Sequence, residues 1–283
     1  MRGLWLVLVA AGCDGRRPAC DTAQVFDHAT QTCTAYVAED PVPADVWRPA
    51  PGTTWQWQLT GSIDTSVPVD MYDVDLFDAP DSVFTALQDR TVICYFSAGS
   101  AEDFREDAVA LPDDATGDRL MGWSDERWVD VTHPAVRQWV EDRLDYAVER
   151  GCDGVEPDNV DGYANRNGFF LTPAEQLQFN RFVADEAHRR GLSVGLKNDV
   201  DQLAELEPWF DWALNEECHL FEECGVYTPF RGADKAVFHT EYVRNWRDAP
   251  ELAARVCVHS GFSTLVKTLD LGPEFLSCPA GVP

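Results

Sequence analysis

The sequence predicts an α/β protein built as a (β/α)8 barrel, and three observations carry that expectation. Eight short runs rich in β-branched and aromatic residues recur along the chain. Helical patterns alternate with them, which argues for a parallel sheet. Together they fill roughly 230 residues, the size of such a barrel. Hydrophobic residues make up 45% of the 283-residue chain, so wholesale disorder is excluded. No apolar run reaches the roughly 18–20 residues of a membrane-spanning helix. With 22 Lys and Arg against 49 Asp and Glu, the formal net charge is −27. A surface this acidic repels nucleic acid and favours cationic partners.

Residues 1–12 read as an export signal of the lipoprotein type. Met1 and Arg2 precede a short apolar stretch that ends in Ala10-Ala11-Gly12-Cys13, and Cys13 is the expected lipidation site. Any contact with a membrane is expected through that anchor alone, on an exported protein of the cell envelope or its surroundings. Removing Cys13 from the nine cysteines leaves eight, an even number suited to disulfides in an oxidising compartment. Sequence alone leaves their connectivity open. Neighbours in sequence suggest Cys20–Cys33, Cys218–Cys224 and Cys257–Cys278, with Cys94–Cys152 remaining. Without a CxxC pair, and with scattered histidines, no structural zinc site is expected.

Residues 13–50 are polar and, towards the end, rich in proline, and they read as a tether with a small cysteine loop. Residues 51–283 form the barrel. Its candidate strands are 55–59, 72–77, 92–96, 154–157, 193–197, 212–215, 236–239 and 263–266. The central unit is the clearest. Val136, Trp139, Val140, Leu144, Ala147 and Val148 recur at helical spacing before Gly151, a natural stop. Thr172-Pro173-Ala174-Glu175 is a capping box with proline at the first helical position. The helix it opens turns Leu177, Phe182, Val183 and Ala187 inward and ends at Gly191.

In such a barrel the chemistry gathers at the C-terminal ends of the strands. Those ends are rich here in acids, amides and hydroxyls: Asp64, Ser97, Glu156-Pro157-Asp158-Asn159, Lys197-Asn198-Asp199, Asn215-Glu216-Glu217 and Glu241-Tyr242. One acid after a strand is commonly a cap or turn residue; acids, amides or hydroxyls after six of eight strands ask for a shared reason. Strand periodicity points Glu156 and Asp158 the same way, with Asp158 nearer the mouth and Glu156 in support. Lys197 at the next strand's end supplies a cation between such close acids. Asp158 and Glu216 can then face each other across the mouth, and two carboxylates are the minimum for cleaving a glycosidic bond. Trp55, Trp57, Tyr72, Tyr95, Tyr163, Tyr242 and Trp246 fall near strand ends or loops, where flat faces suit sugar rings. Core packing suits Trp139, Trp209 and Trp212 better.

Several segments resemble glycoside hydrolase family 114, the endo-α-1,4-polygalactosaminidase family. They include Trp55-Gln56-Trp57-Gln58-Leu59, Tyr72-Asp73-Val74-Asp75, Val92-Ile93-Cys94-Tyr95-Phe96-Ser97-Ala98-Gly99, the run from Gly154 to Tyr163, Gly195-Leu196-Lys197-Asn198-Asp199 and Asn215-Glu216-Glu217-Cys218. The likeness spans roughly residues 54–270. It implies a (β/α)8 barrel that cuts α-1,4-linked galactosamine polymers internally, without metal or cofactor. It makes Asp158 the nucleophile and Glu216 the general acid/base, with retention. It sets Asp64, Tyr95, Lys197, Asn198, Asn215, Glu241 and Tyr242 around the scissile bond, with Glu156 and Asn159 beside Asp158. The expected partner is a cationic amino-sugar polysaccharide, met by a monomer. The alternatives are a catalytically silent lipoprotein that binds such a polymer, and a glycosidase for another α-linked amino sugar.

Overall fold

Eight parallel strands form the frame of a computed structural model that describes residues 19–37, 46–258 and 261–278. They are β1 Trp55–Gln58, β2 Met71–Asp75, β3 Thr91–Ser97, β4 Gly154–Asp158, β5 Ser193–Lys197, β6 Trp212–Glu216, β7 Val237–Tyr242 and β8 Phe262–Lys267. Each occupies one of the eight places expected from the sequence, and neighbours in sequence are neighbours in the sheet. A ninth strand, Leu276–Ser277, adds antiparallel to β8. The export signal and Cys13 lie outside the described residues.

The sheet curls until its ends meet. The Trp55 ring of β1 lies 4.9 Å from that of Phe238 on β7, and its Nε1 donates to the Ser263 carbonyl of β8 at 2.9 Å. Lys267 Nζ contacts Gln56 Oε1 at 3.2 Å, and Leu59 N donates to the Leu271 carbonyl at 3.0 Å. Among the described residues, side chains and the 269–273 loop bridge this seam in place of a backbone ladder.

Strand alternation divides the core in two. Trp55, Trp57, Met71, Ile93, Trp212, Leu214, Phe238 and Leu265 fill the interior. Tyr72, Val74, Val92, Cys94, Val155, Val194, Leu196 and Ala213 face the outer layer. Gly195 is required inside, since a Cβ there would lie 2.3 Å from the Trp212 ring. The interior is thus filled by large apolar side chains, and ionic side chains gather towards the mouth.

The helical layer is thinner than strict alternation implies. Two helices of 17 residues, α2 Pro134–Arg150 and α3 Pro173–Arg189, cover β3 to β5. The others are short: α1 Asp81–Ala86, α4 Leu203–Leu206, α5 Thr228–Gly232 and α6 Ala249–Val256. A loop alone joins β1 to β2. Between β3 and α2 the chain inserts a three-stranded antiparallel sheet, Ser100–Glu102, Thr116–Leu120 and Trp123–Val129.

In α2 the expected apolar face is buried except for Val148, which is 46% exposed. Arg143 takes part in that face instead, donating to Asp107 and to the Ser97 carbonyl. The capping box of α3 forms, with both the Thr172 and Glu175 side chains engaged. Gly151 sits at φ 80°, a left-handed stop.

Four disulfides form: Cys20–Cys33, Cys218–Cys224 and Cys257–Cys278, the three pairs that sequence proximity suggests, and Cys94–Cys152, the pair that remained. The first closes a hairpin, Gln24–Asp27 with Thr32–Ala35. That hairpin rests on α3: Phe26 is buried, its N donates to Glu175 Oε1 at 2.8 Å, and Thr172 Oγ1 donates to the Gln24 carbonyl at 2.8 Å. No helix among the described residues is long and apolar enough to cross a membrane.

Candidate active site

At the mouth the inward positions of β4, β5 and β6 turn from apolar to ionic. Lys197 ends β5 in full burial, and its Nζ lies 2.8 Å from Glu156 Oε1, 3.2 Å from Asp158 Oδ1 and 3.3 Å from Glu216 Oε2. It also sits over the Trp57 ring at 4.8 Å and the Tyr95 ring at 5.6 Å. Burial favours the neutral amine, but Asp158, Glu156 and Glu216 outweigh it and hold Lys197 well above its usual range. One fixed cation therefore ties together the two carboxylates named by the sequence.

Each carboxylate has its own donors. Asp158 Oδ2 accepts from the Tyr95 hydroxyl at 3.0 Å, and Oδ1 from the Asn159 backbone N at 2.8 Å. Glu216 Oε1 accepts from the Tyr242 hydroxyl at 2.5 Å, and Oε2 from Asn198 Nδ2 at 3.1 Å. Burial, then the adjacent carboxylate, keeps both phenols well above their usual range, so they remain donors. Asn159 Nδ2 in turn donates to Ser97 and Ser100, each at 3.0 Å. The backbones of Asn159 and Asn198 stand at φ 60° and 47°, the left-handed region that asparagine tolerates best after glycine. The sharp turn at each strand end aims the side chain back into the mouth.

Behind this layer lies a residue that the sequence reading did not single out. Asp73, inward on β2, is wholly buried, and neither of its oxygens meets a conventional donor. Burial and then Glu156 hold its carboxyl far above the usual range, and Glu156 itself is pushed up to about 7, first by burial. Burial beside the Glu156 carboxyl thus favours the protonated form of Asp73. Its place two residues beyond Met71, on the interior face, was the available signal.

The mouth opens into a cleft of about 1050 Å³ lined by Asp158, Glu216, Lys197, Asn198, Tyr95 and Tyr242, and by Asn159. Four other expected binding residues stand off its wall. Glu156 is sealed beneath Lys197. Asn215 and Glu241 have the opposite strand parity and face outward. Asn215 Nδ2 donates to the Tyr227 hydroxyl at 2.9 Å and its Oδ1 accepts from Cys218 N at 2.8 Å. Glu241 Oε1 accepts from His219 N at 2.7 Å and lies 3.0 Å from His239 Nε2. Both therefore shape the loop after Glu216. Asp64 is exposed beyond β1, capping its own turn through Ser66. Further along the cleft, Asp161 is pushed up to about 6, first by burial and then by Asp158.

One group among the described residues has metal-ligand spacing, Cys218, Cys224 and His239. Its two sulfurs are joined in a disulfide, so it presents no thiolate pair.

Paired carboxylates across an open groove, fed by phenol and amide donors, can carry proton transfer and attack at one carbon. Comparison with known proteins agrees. Glycoside-hydrolase family GH114 matches the chain over residues 37–282. The Aspergillus fumigatus protein Ega3, solved in complex with galactosamine, is 40% identical, with a TM-score of 0.80 over 85% of this chain and 100% of that one. The glycoside hydrolase domain of PelA from Pseudomonas aeruginosa shares the fold at 17% identity, with a TM-score of 0.63 over 79% of this chain and 97% of that one. No curated protein matches.

Proposed function

The chain belongs to glycoside-hydrolase family GH114, and on that footing we propose that it cleaves α-1,4-linked galactosamine polymers internally, by double displacement with retention. The observation that carries this reading is the position of Lys197 Nζ, 3.2 Å from Asp158 and 3.3 Å from Glu216. Those two contacts hold the nearest carboxylate oxygens within about 6.5 Å, the lower edge of the inverting range and compatible with the shorter retaining one.

Asp158 is the nucleophile. The Tyr95 hydroxyl, the Asn159 N–H and Lys197 fix its oxygens towards the cleft. It attacks the anomeric carbon as Glu216 gives a proton to the leaving oxygen, and a glycosyl ester forms on Asp158. Esterification removes the charge of Asp158, and Lys197 then faces Glu216 as the principal exposed carboxylate. Glu216 draws the proton from water, which breaks the ester and restores both acids. Asn198 and Tyr242 keep Glu216 in place through both steps.

Substrate charge supports the choice of polymer. A chain with a net charge of −27 attracts a polyamine sugar at long range, and Ega3, the 40% identical relative, was solved with galactosamine. The four disulfides suit an oxidising compartment, so the reading places the protein outside the cytoplasm, with Cys13 as its anchor. The test is incubation with deacetylated α-1,4-galactosamine polymer. Mass spectrometry should find a ladder of soluble oligosaccharides, and early NMR spectra should show the α-anomer first. A β-anomer first refutes retention, and intact polymer refutes the substrate.

A further inference from the structure

The sheet inserted between β3 and α2 brings to the cleft an aromatic ring that the fold does not use. Leu120 and Trp123 are the last facing pair of its hairpin, which leaves Met121 and Gly122 as the turn, with Gly122 at φ 93°. Met121 is 99% exposed and Trp123 52% exposed, yet both line the same cleft as Asp158 and Glu216. Leaving a large indole in water forgoes much of the stabilisation that its burial brings. Among the described residues no ring packs against it.

The tip is braced. Arg119 Nη1 pairs with Asp103 Oδ2 at 2.9 Å and donates to the Ser124 carbonyl, which ties both strands of the hairpin to the insertion. Three carboxylates share the cleft wall with the indole: Asp125 and Glu126 follow it on the same strand, and Asp118 is on the paired strand. All three line the cleft; Asp118 meets Arg166 at 3.5 Å, and Glu126 Oε2 accepts from Ser100 Oγ at 2.6 Å. A flat aromatic face beside acids suits a sugar that presents C–H bonds on one side and an ammonium at its edge. A neutral sugar would gain the stacking but not the charge.

We propose that the Trp123 hairpin tip is a distal subsite that holds a further amino-sugar unit of the same polymer, away from the linkage being cut. The assignment rests on the reading of Asp158 and Glu216 given above. By gripping the chain at a second point, Trp123 makes the enzyme prefer long substrates over short ones, with the scissile bond positioned between the two grips.

The experiment compares kcat/KM of the wild type, Trp123→Ala and Trp123→Phe over α-1,4-oligogalactosamines of increasing length. For the wild type kcat/KM rises with length and levels off once the chain spans the tip. In Trp123→Ala it falls by roughly 5- to 30-fold on the longest chains, the range that a cation–aromatic contact supports. That loss shrinks as the chains shorten, and Trp123→Phe keeps most of the length dependence. A Trp123→Ala profile identical to the wild type overturns the subsite, as it would if the tip met a lipid surface or a second copy. An equal loss at every length also overturns it, since a structural role would act that way. If the wild type cleaves no member of the series, the catalytic reading itself fails and the subsite with it, and that outcome is visible before any variant is compared.

Discussion

Asn198 and Glu216 hold each other twice: Glu216 N donates to Asn198 Oδ1 at 2.9 Å, and Asn198 Nδ2 donates to Glu216 Oε2 at 3.1 Å. This reciprocal pair fixes the acid/base at both its backbone and its carboxylate. Asn198→Asp replaces the Nδ2 donor with an oxygen that repels Glu216. The expected outcome is a fall in kcat of about 10²-fold, the scale of one general acid–base contribution, with KM little changed. Steady-state kinetics on the galactosamine polymer check it, and an unchanged kcat contradicts it.

Lys197 is a buried cation among three acids, so its removal strands charge in a low-dielectric site. Lys197→Met should cost about 3–5 kcal/mol of stability and abolish turnover. Lys197→Met with Glu156→Gln should regain part of the stability and none of the activity, since Glu156 lies behind the site and Asp158 in it. Urea unfolding with parallel activity assays separates the two effects.

Buried acids set the pH dependence of stability. Chiefly through burial, Glu102 and Glu156 are pushed up to about 7, Asp161 to about 6 and Asp199 to about 8. Between their ordinary range and these values the folded chain holds more protons than the unfolded one. Stability therefore falls as pH rises from about 4 to about 8. Asp211 and Glu241, buried but held below their usual range by His188 and His239, act in the opposite sense as pH falls into the acid range. The thermal midpoint should be higher near pH 5 than near pH 9 by roughly several degrees, and Asp199→Asn should narrow that gap. An equal gap in the variant contradicts the assignment.

Gly99 passes close behind the nucleophile. A Cβ there would fall 1.7 Å from the Asn159 carbonyl oxygen, and Gly99 N donates to the Asp158 carbonyl at 3.1 Å. Gly99→Ala must displace the backbone that aims Asp158, and a misplacement on the order of 1 Å costs about 10²-fold in rate. Gly225→Ala, with nothing within 4 Å of the added atom, serves as the control and should leave the rate unchanged.

The strand pattern was legible in the sequence because each barrel strand is a short apolar run that must be buried on both faces. The inserted sheet was not: Trp123-Ser124-Asp125-Glu126-Arg127 is largely exposed and carries no clean apolar alternation. Strand parity placed Glu156 and Asp158 correctly on one side, and the same rule turns Asn215 and Glu241 away from Glu216 and Tyr242. It also reveals Asp73, whose carboxyl is pushed up by burial and by Glu156, an acid that only the closed barrel brings near. In α2, helical spacing marked Val148 for the core. Arg143 is buried there because Asp107, a residue far off in sequence, supplies its partner.

The most direct measurement of the central claim is oligosaccharide release from galactosamine polymer by the wild type, Asp158→Asn and Glu216→Gln, with thermal midpoints taken alongside. The wild type should release product, while both variants stay folded and release none. Folded variants that both cleave at the wild-type rate would contradict the claim that these two carboxylates perform the reaction.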